Sequence, residues 1–170
     1  MVRRRKWMGP ALGILLAACG ADGVHAPEST AVYSVTGVAA RATGSAHFIA
    51  NGELRKFTFS AVTHADGSVS GQFELVAGNA DLVAHGTVTC MTVIGNEAWV
   101  GGTLDRNSVG APFTHGWWRA EDQSPAGAAD GISLLVVANN PGGSLVQAFC
   151  DDTPAAPALN PVIHGNISID

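Results

Sequence analysis

Phe57-Thr58-Phe59-Ser60-Ala61-Val62, followed after a turn by Ser68-Val69-Ser70-Gly71-Gln72-Phe73-Glu74-Leu75, is the stretch that decides the fold. In both runs the odd-numbered positions are apolar or glycine, and the even-numbered positions are mostly polar. Such alternation predicts strands with one buried face. Asp66-Gly67 lies between the runs, and this dipeptide between alternating segments is a strong hairpin signal. We therefore predict that the two runs pair as an antiparallel hairpin.

Strand and turn signals of the same kind continue on both sides of this hairpin. Asn51-Gly52 is a second hairpin signal, between strands predicted at 45–50 and 53–61. From residue 32 onward the chain is rich in Val, Thr, Ile and Phe, and no run has a helical period. Further strands are predicted at 32–41, 82–93, 98–104, 113–120, 132–138, 145–150 and 162–169.

This series of about ten strands predicts an all-β fold. Short links and the lack of a crossover helix favour antiparallel pairing. We expect an up-and-down barrel of about 8 to 10 strands, with a β-sandwich as the alternative. Residues 162–169 still alternate at the end of the chain. The last strand is therefore predicted to pair with the first and so to remove an exposed edge.

The N-terminus has the three parts of a secretion signal. Residues 3–6 are basic, residues 7–18 are mostly apolar, and small residues lead into a cysteine. Leu16-Ala17-Ala18-Cys19 resembles the lipobox of bacterial lipoproteins. A transmembrane anchor or an ordinary cleaved signal is the alternative, but the apolar stretch is shorter than the about 20 residues that span a bilayer.

The lipobox resemblance implies a division of the chain and a location. Residues 1–18 would be a lipoprotein signal peptide, and Cys19 would be the acylated first residue of the mature protein. Residues 19–31 would form a lipid anchor and flexible tether, and residues 32–170 would form a single β domain. The protein would face the extracytoplasmic side of the cell envelope, held to a membrane by its acyl chains. Gly20 in place of Asp favours the outer membrane where the source has two membranes.

The charge of the mature chain excludes several partners. Four of the nine basic residues lie in residues 1–18, so five Lys and Arg face fourteen Asp and Glu, which leaves a formal net charge of −9. Binding to nucleic acid needs clustered basic residues, which are missing here. The same balance argues against electrostatic attachment to anionic lipid. We therefore predict no nucleic-acid partner and attachment to the membrane through lipid alone.

Once Cys19 is assigned to lipid, two cysteines remain, Cys90 and Cys150. An even number in an exported chain predicts a disulfide, with two buried free thiols as the alternative. Such a bond would close a loop of about 60 residues and stabilise the domain by about 4 kcal/mol in the chain-entropy account.

Four stretches also resemble a β domain of exported bacterial proteins, a family without an established activity. The similarity covers most of residues 36–169, and it implies an exported β domain with paired cysteines. It supplies no catalytic residues. The stretches are Gly44-Ser45-Ala46-His47-Phe48, residues 66–73, residues 85–90 and residues 95–102.

Trp117-Trp118-Arg119 is the candidate ligand-binding motif. Adjacent residues of a strand point to opposite faces, so one indole is expected inside and the other outside. An exposed tryptophan near Arg119 would form a stacking surface for a sugar or a partner protein. The alternative is that Trp118 covers a sheet edge or contacts a neighbouring loop.

Histidines and aspartates show no spacing typical of a metal site. We interpret the histidines as structural or surface residues and the aspartates as solvated loop carboxylates, and we predict neither a metal nor a cofactor. No nucleophile motif such as GxSxG is found. The five histidines of the β region are His47, His64, His85, His115 and His164, and the aspartates in or beside predicted loops are Asp105, Asp122, Asp130, Asp151 and Asp152.

These features predict a noncatalytic envelope lipoprotein that has a structural role or binds a protein, a glycan or an apolar ligand. A small envelope hydrolase is the alternative. A binding module should have an exposed aromatic patch or a lined cavity. An enzyme should have a cleft in which a histidine and a carboxylate converge within hydrogen-bond distance.

Overall fold

The computed structural model describes residues 37–78, 82–107, 112–124 and 127–170. The predicted signal peptide, the acylation site Cys19 and the tether lie outside the described residues, as do residues 32–36 of the strand predicted at 32–41. The described elements are β1 (Val38–Ala50), β2 (Glu53–His64), β3 (Val69–Ala77), β4 (Leu82–Ile94), β5 (Glu97–Asn107), β6 (His115–Glu121), β7 (Gly131–Ser133), β8 (Val136–Ala138), α1 (Ser144–Asp152), β9 (Leu159–Pro161) and β10 (His164–Ile169).

One strongly curled sheet makes up the domain and forms a half-barrel. Its strands follow the order β10-β1-β2-β3-β4-β5-β6-β7-β9, and β8 pairs with β6. All of these pairings are antiparallel. The all-β antiparallel prediction is confirmed, and a single curled sheet forms instead of a sandwich. The predicted docking of the last strand beside the first is confirmed as well, because β10 pairs with β1 over residues 42–47.

The hairpin predicted from the first quoted runs forms as β2 and β3. Phe57 lies opposite Leu75 and Phe59 lies opposite Phe73, and all four side chains are buried. The intervening polar side chains point to the other face, as the period of two requires. Trp118 of β6 completes this core, with its ring centroid 4.9 to 5.6 Å from those of the three phenylalanines.

The turn of this hairpin is held by its own side chains. One carboxylate oxygen of Asp66 accepts hydrogen bonds from the Ser68 hydroxyl at 2.6 Å and from the Ser68 backbone N–H at 2.9 Å. These two bonds favour the charged carboxylate and hold the pKa of Asp66 below its usual value. Gly67 follows with a positive φ of 82°, which explains why glycine is favoured there.

A β-bulge in β4 turns Cys90 away from the inner core. Val88 lies opposite Gly102 and Cys90 lies opposite Gly101, so Thr89 is the extra residue. Val88 belongs to the inner core, whereas Cys90 belongs to a second cluster on the outer face. The bulge therefore places one cysteine on the outside of the sheet, where α1 packs.

Helix α1 replaces the strand predicted at 145–150, and that prediction is wrong. Its buried residues Val146, Phe149 and Cys150 follow helical spacing and pack on the outer face of the sheet. The predicted disulfide between Cys90 and Cys150 is confirmed and ties the helix to β4. Gly101 permits the close approach, because a Cβ there would lie 2.6 Å from a Val146 methyl carbon.

Three other strand boundaries differ from the prediction. The strands predicted at 32–41 and 45–50 are one described strand, since Gly44 makes room for the Phe59 ring instead of ending the strand. The strand predicted at 132–138 divides into β7 and β8 at Leu134 and Leu135. The third difference is β9, which lies between the segments predicted at 145–150 and 162–169, where no strand was predicted.

Two loop aspartates join β10 to the segment after β6, and the prediction that they are solvated is wrong. Asp130, only 7 % exposed, accepts from the Ile167 backbone N–H at 2.8 Å and from the Gln123 backbone N–H at 2.9 Å. Asp122 accepts from the Ile169 backbone N–H at 3.3 Å. In a continuous sheet, a neighbouring strand would supply carbonyl oxygens for backbone N–H groups. Here the two carboxylates supply the acceptors instead. The other three predicted carboxylates are exposed: Asp105, Asp151 and Asp152.

Candidate functional site

A small cavity lies at the end of the sheet where β1 turns into β2. We call it the Arg55 cavity. Its volume is about 170 Å³, and strands β2, β3, β4 and β8 and the link between β7 and β8 surround it. The described residues that line it are one cation, Arg55, and the apolar side chains Leu75, Leu82, Ala84, Leu134, Leu135 and Val137.

The alternation of the strands brings these side chains together. Arg55 lies two residues before the buried Phe57, and its cross-strand partners Phe48 and Ala77 are both buried. Leu75 lies opposite Ala84, and both residues line the cavity. Directly opposed residues share a face. The cavity therefore continues the inner face of the half-barrel beyond its aromatic core.

Leu134 and Leu135 form the remaining wall. They lie between β7 and β8, are partly buried, and pack against the inner core. Because they belong to neither strand, their side chains are free of the alternation that governs the sheet. Because the strand predicted at 132–138 is interrupted at these two leucines, their side chains can cover part of the inner face.

Arg55 is the chemically distinctive group of the cavity. Its side chain is only 14 % exposed, and one of its terminal nitrogens, Nη2, lies 3.6 Å from a carboxylate oxygen of Glu53. The Nε atom is buried and has no hydrogen-bond partner within the described residues. Glu53 is itself 60 % exposed, so its attraction is screened by water. The guanidinium therefore keeps a hydrogen-bond donor that its surroundings leave unsatisfied.

The sequence prediction did not single out Arg55, Leu134 or Leu135. One signal was present, because Arg55 occupies the same odd-numbered register as Phe57 and Phe59 and a cation on an apolar face is unusual. The two leucines gave no such signal, since a run of apolar residues is typical of a buried strand.

The structure places both tryptophans of the predicted motif against packed neighbours. Trp118 is wholly buried in the inner core. Trp117 is partly buried on the outer face, with its ring centroid 6.2 Å from that of Phe149 in α1. The two indoles do point to opposite faces, but the helix covers the face on which an exposed ring was expected.

Arg119 is committed to internal contacts as well. It is 9 % exposed, donates to a Glu97 carboxylate oxygen at 2.8 Å and to the Ala155 carbonyl, and lies over the Trp99 ring at 5.5 Å. Its role is to join β6 and β5 to the segment after α1. With Trp118 buried and Arg119 paired, the motif does not form the predicted stacking surface.

A second depression, of about 290 Å³, is shallow and polar. It lies on the outer face, where the Glu74 and His85 side chains stand opposite each other. His85 Nδ1 is 3.8 Å from a carboxylate oxygen of Asp105, and both side chains are well exposed. That oxygen already accepts a hydrogen bond from the Thr87 hydroxyl at 2.9 Å. The distance exceeds a hydrogen bond, so the geometry lacks the polarised dyad that a hydrolase would use.

The histidines are distributed over the sheet. His47 and His164 are cross-strand neighbours, with ring centroids 6.3 Å apart. His64 contacts the Ser70 hydroxyl, and His115 contacts its own neighbour Thr114. In the described part of the chain, no three His, Cys, Asp or Glu side chains converge in a way that could hold a metal ion.

No family model, curated protein or solved structure matches this chain.

Within the described ranges, no helix is both long enough and apolar enough to cross a membrane.

Proposed function

We propose that the protein is a noncatalytic, lipid-anchored module of the cell envelope whose β domain binds a small apolar ligand in the Arg55 cavity. The observation that carries this proposal is the cavity itself, an apolar space continuous with the inner face of the sheet. Ligand sites are typically concave and apolar with a few placed polar groups, and the cavity has that composition. The long His85–Asp105 distance gives the hydrolase alternative no comparable support.

The lipid anchor rests on the lipobox resemblance. Replacing Cys19 by alanine should abolish incorporation of a fatty-acid analogue and release the protein from membranes, because the thiol that receives the lipid is gone. Metabolic labelling followed by membrane fractionation measures both effects. Gly20→Ala is the matched control, since it keeps the cysteine and should stay labelled. Persistent labelling of the Cys19→Ala chain would overturn the anchor.

Ligand binding can be measured on the unacylated mature chain, residues 19–170. Titration with 1-hexanol should shift the NMR methyl signals of the leucines that line the cavity, and the shifts should saturate. Ala84→Leu enlarges a side chain of the cavity wall and should weaken binding about tenfold or more, because a preformed pocket cannot admit both the added atoms and the ligand. Ala148→Leu adds the same atoms on the exposed face of α1 and is the control. Equal binding by all three chains would refute the site.

A further inference from the structure

We infer that the Arg55 cavity selects an apolar ligand that ends in a carboxylate, such as a short-chain fatty acid. This inference rests on the proposed function and specifies its ligand. The structural basis is the combination of a nearly buried guanidinium with an otherwise apolar lining. Among the described residues that line the cavity, Arg55 is the one cation, so a bound anion would be held by this side chain.

The positive charge of Arg55 explains why an anion is preferred to a neutral molecule. The two terminal nitrogens of the guanidinium carry four N–H donors, and a carboxylate can accept from two donors at once with its two oxygens. An alkane would place no charge beside the guanidinium, and an alcohol would offer a single uncharged oxygen. A carboxylate adds both a second acceptor and the opposite charge, and the attraction is strengthened where water is largely excluded.

Glu53 competes with the ligand for the guanidinium. Its carboxylate oxygen is 3.6 Å from Nη2, beyond hydrogen-bond distance, and the side chain is largely in water. A ligand carboxylate can therefore bind the terminal nitrogens of Arg55 without displacing a formed hydrogen bond to Glu53. The remaining charge of Glu53 repels the ligand and lowers its affinity, which predicts a gain when Glu53 is neutralised.

The volume limits the apolar part of the ligand. The cavity holds about 170 Å³, and a water molecule occupies about 30 Å³ in the liquid, so about five or six groups of that size fit. Drug-sized ligands use about 300–1,000 Å³. A chain of about six carbons therefore fits within the walls, and a longer one would extend into solvent.

The test compares hexanoate, 1-hexanol and hexylammonium as probes of the mature chain, residues 19–170, by calorimetry and methyl NMR. Hexanoate should bind about tenfold more tightly than hexanol, and hexylammonium should bind more weakly than hexanol. Arg55→Met keeps an unbranched, flexible side chain in the cavity wall and removes the charged guanidinium. It should abolish the preference for hexanoate while binding of hexanol persists.

Glu53→Gln is the complementary variant. Because Glu53 is exposed, its replacement should leave the fold intact, raise the affinity for hexanoate severalfold and leave the affinity for hexanol unchanged. Equal affinities for hexanol and hexanoate, unaffected by either variant, would overturn the carboxylate inference and leave the proposed function standing. Failure of both probes to bind would overturn both. Thermal unfolding of each variant confirms that the compared chains are folded.

Discussion

Replacing Asp130 by alanine is expected to lower the free energy of unfolding by about 4 kcal/mol, since it leaves buried donors without an acceptor, at about 1–3 kcal/mol each. The carboxylate accepts from the backbone N–H groups of Ile167 and Gln123, and from the Ser124 hydroxyl at 3.3 Å. Ile167 is wholly buried, so its N–H has no access to water once the carboxylate is gone. Urea unfolding monitored by tryptophan fluorescence measures the change.

Asp152→Ala is the matched control, because Asp152 is an exposed carboxylate at the end of α1. Its loss should change the free energy of unfolding by less than about 0.5 kcal/mol. Asp130→Asn should be intermediate in effect, since the amide keeps one acceptor oxygen but turns an NH₂ group toward a backbone donor. A loss for Asp130→Ala no larger than that of the control would contradict the role of this carboxylate in joining β10 to the loop.

Removal of the disulfide is the second large effect that we expect. The double substitution Cys90→Ala and Cys150→Ala should cost about 4 kcal/mol, because the bond closes a loop with a separation of 60 residues and limits the unfolded chain. Both cysteines are also buried between the sheet and α1. Chemical denaturation of the oxidised, reduced and doubly substituted proteins measures the difference.

The reductant provides the control for this prediction. Reduction should destabilise the native chain and leave the doubly substituted chain unchanged, since only the native chain has a bond to lose. In both destabilised forms, the backbone amides of helix α1 should be the first whose hydrogen-exchange rates increase, because the bond fixes the helix to β4. Equal stability of oxidised and reduced protein would refute the stabilising role of the bond.

Much of the sheet could be predicted because its determinants are local. The alternation around Phe57, Phe59 and Phe73 and the Asp66-Gly67 turn depend on neighbours in the chain, and hairpin pairing brings those same neighbours together. The pairing of β10 with β1 was also foreseeable, from an alternating segment at the chain end that needed a partner.

Helix α1 could not be recognised in the same way. From the sequence alone, a short segment that is apolar at positions 145, 146, 148, 149 and 150 fits a strand or a helix about equally well. What selects the helix is the outer surface formed by Trp99 and Trp117, which lie far away in the chain. The same surface explains why Trp117 is covered and why the predicted stacking surface does not form.

The sequence by itself determined most of the strands and which of their faces is apolar, because periodicity and turn residues act over short distances. Only the tertiary structure decided that Asp130 accepts from β10, that α1 covers the outer face, and that the Arg55 side chain lies nearly buried beside an apolar space. Each of those outcomes depends on groups that meet across the sheet, where burial removes the water that would otherwise satisfy them. The candidate site therefore arises from long-range packing, on a sheet that local patterns specify.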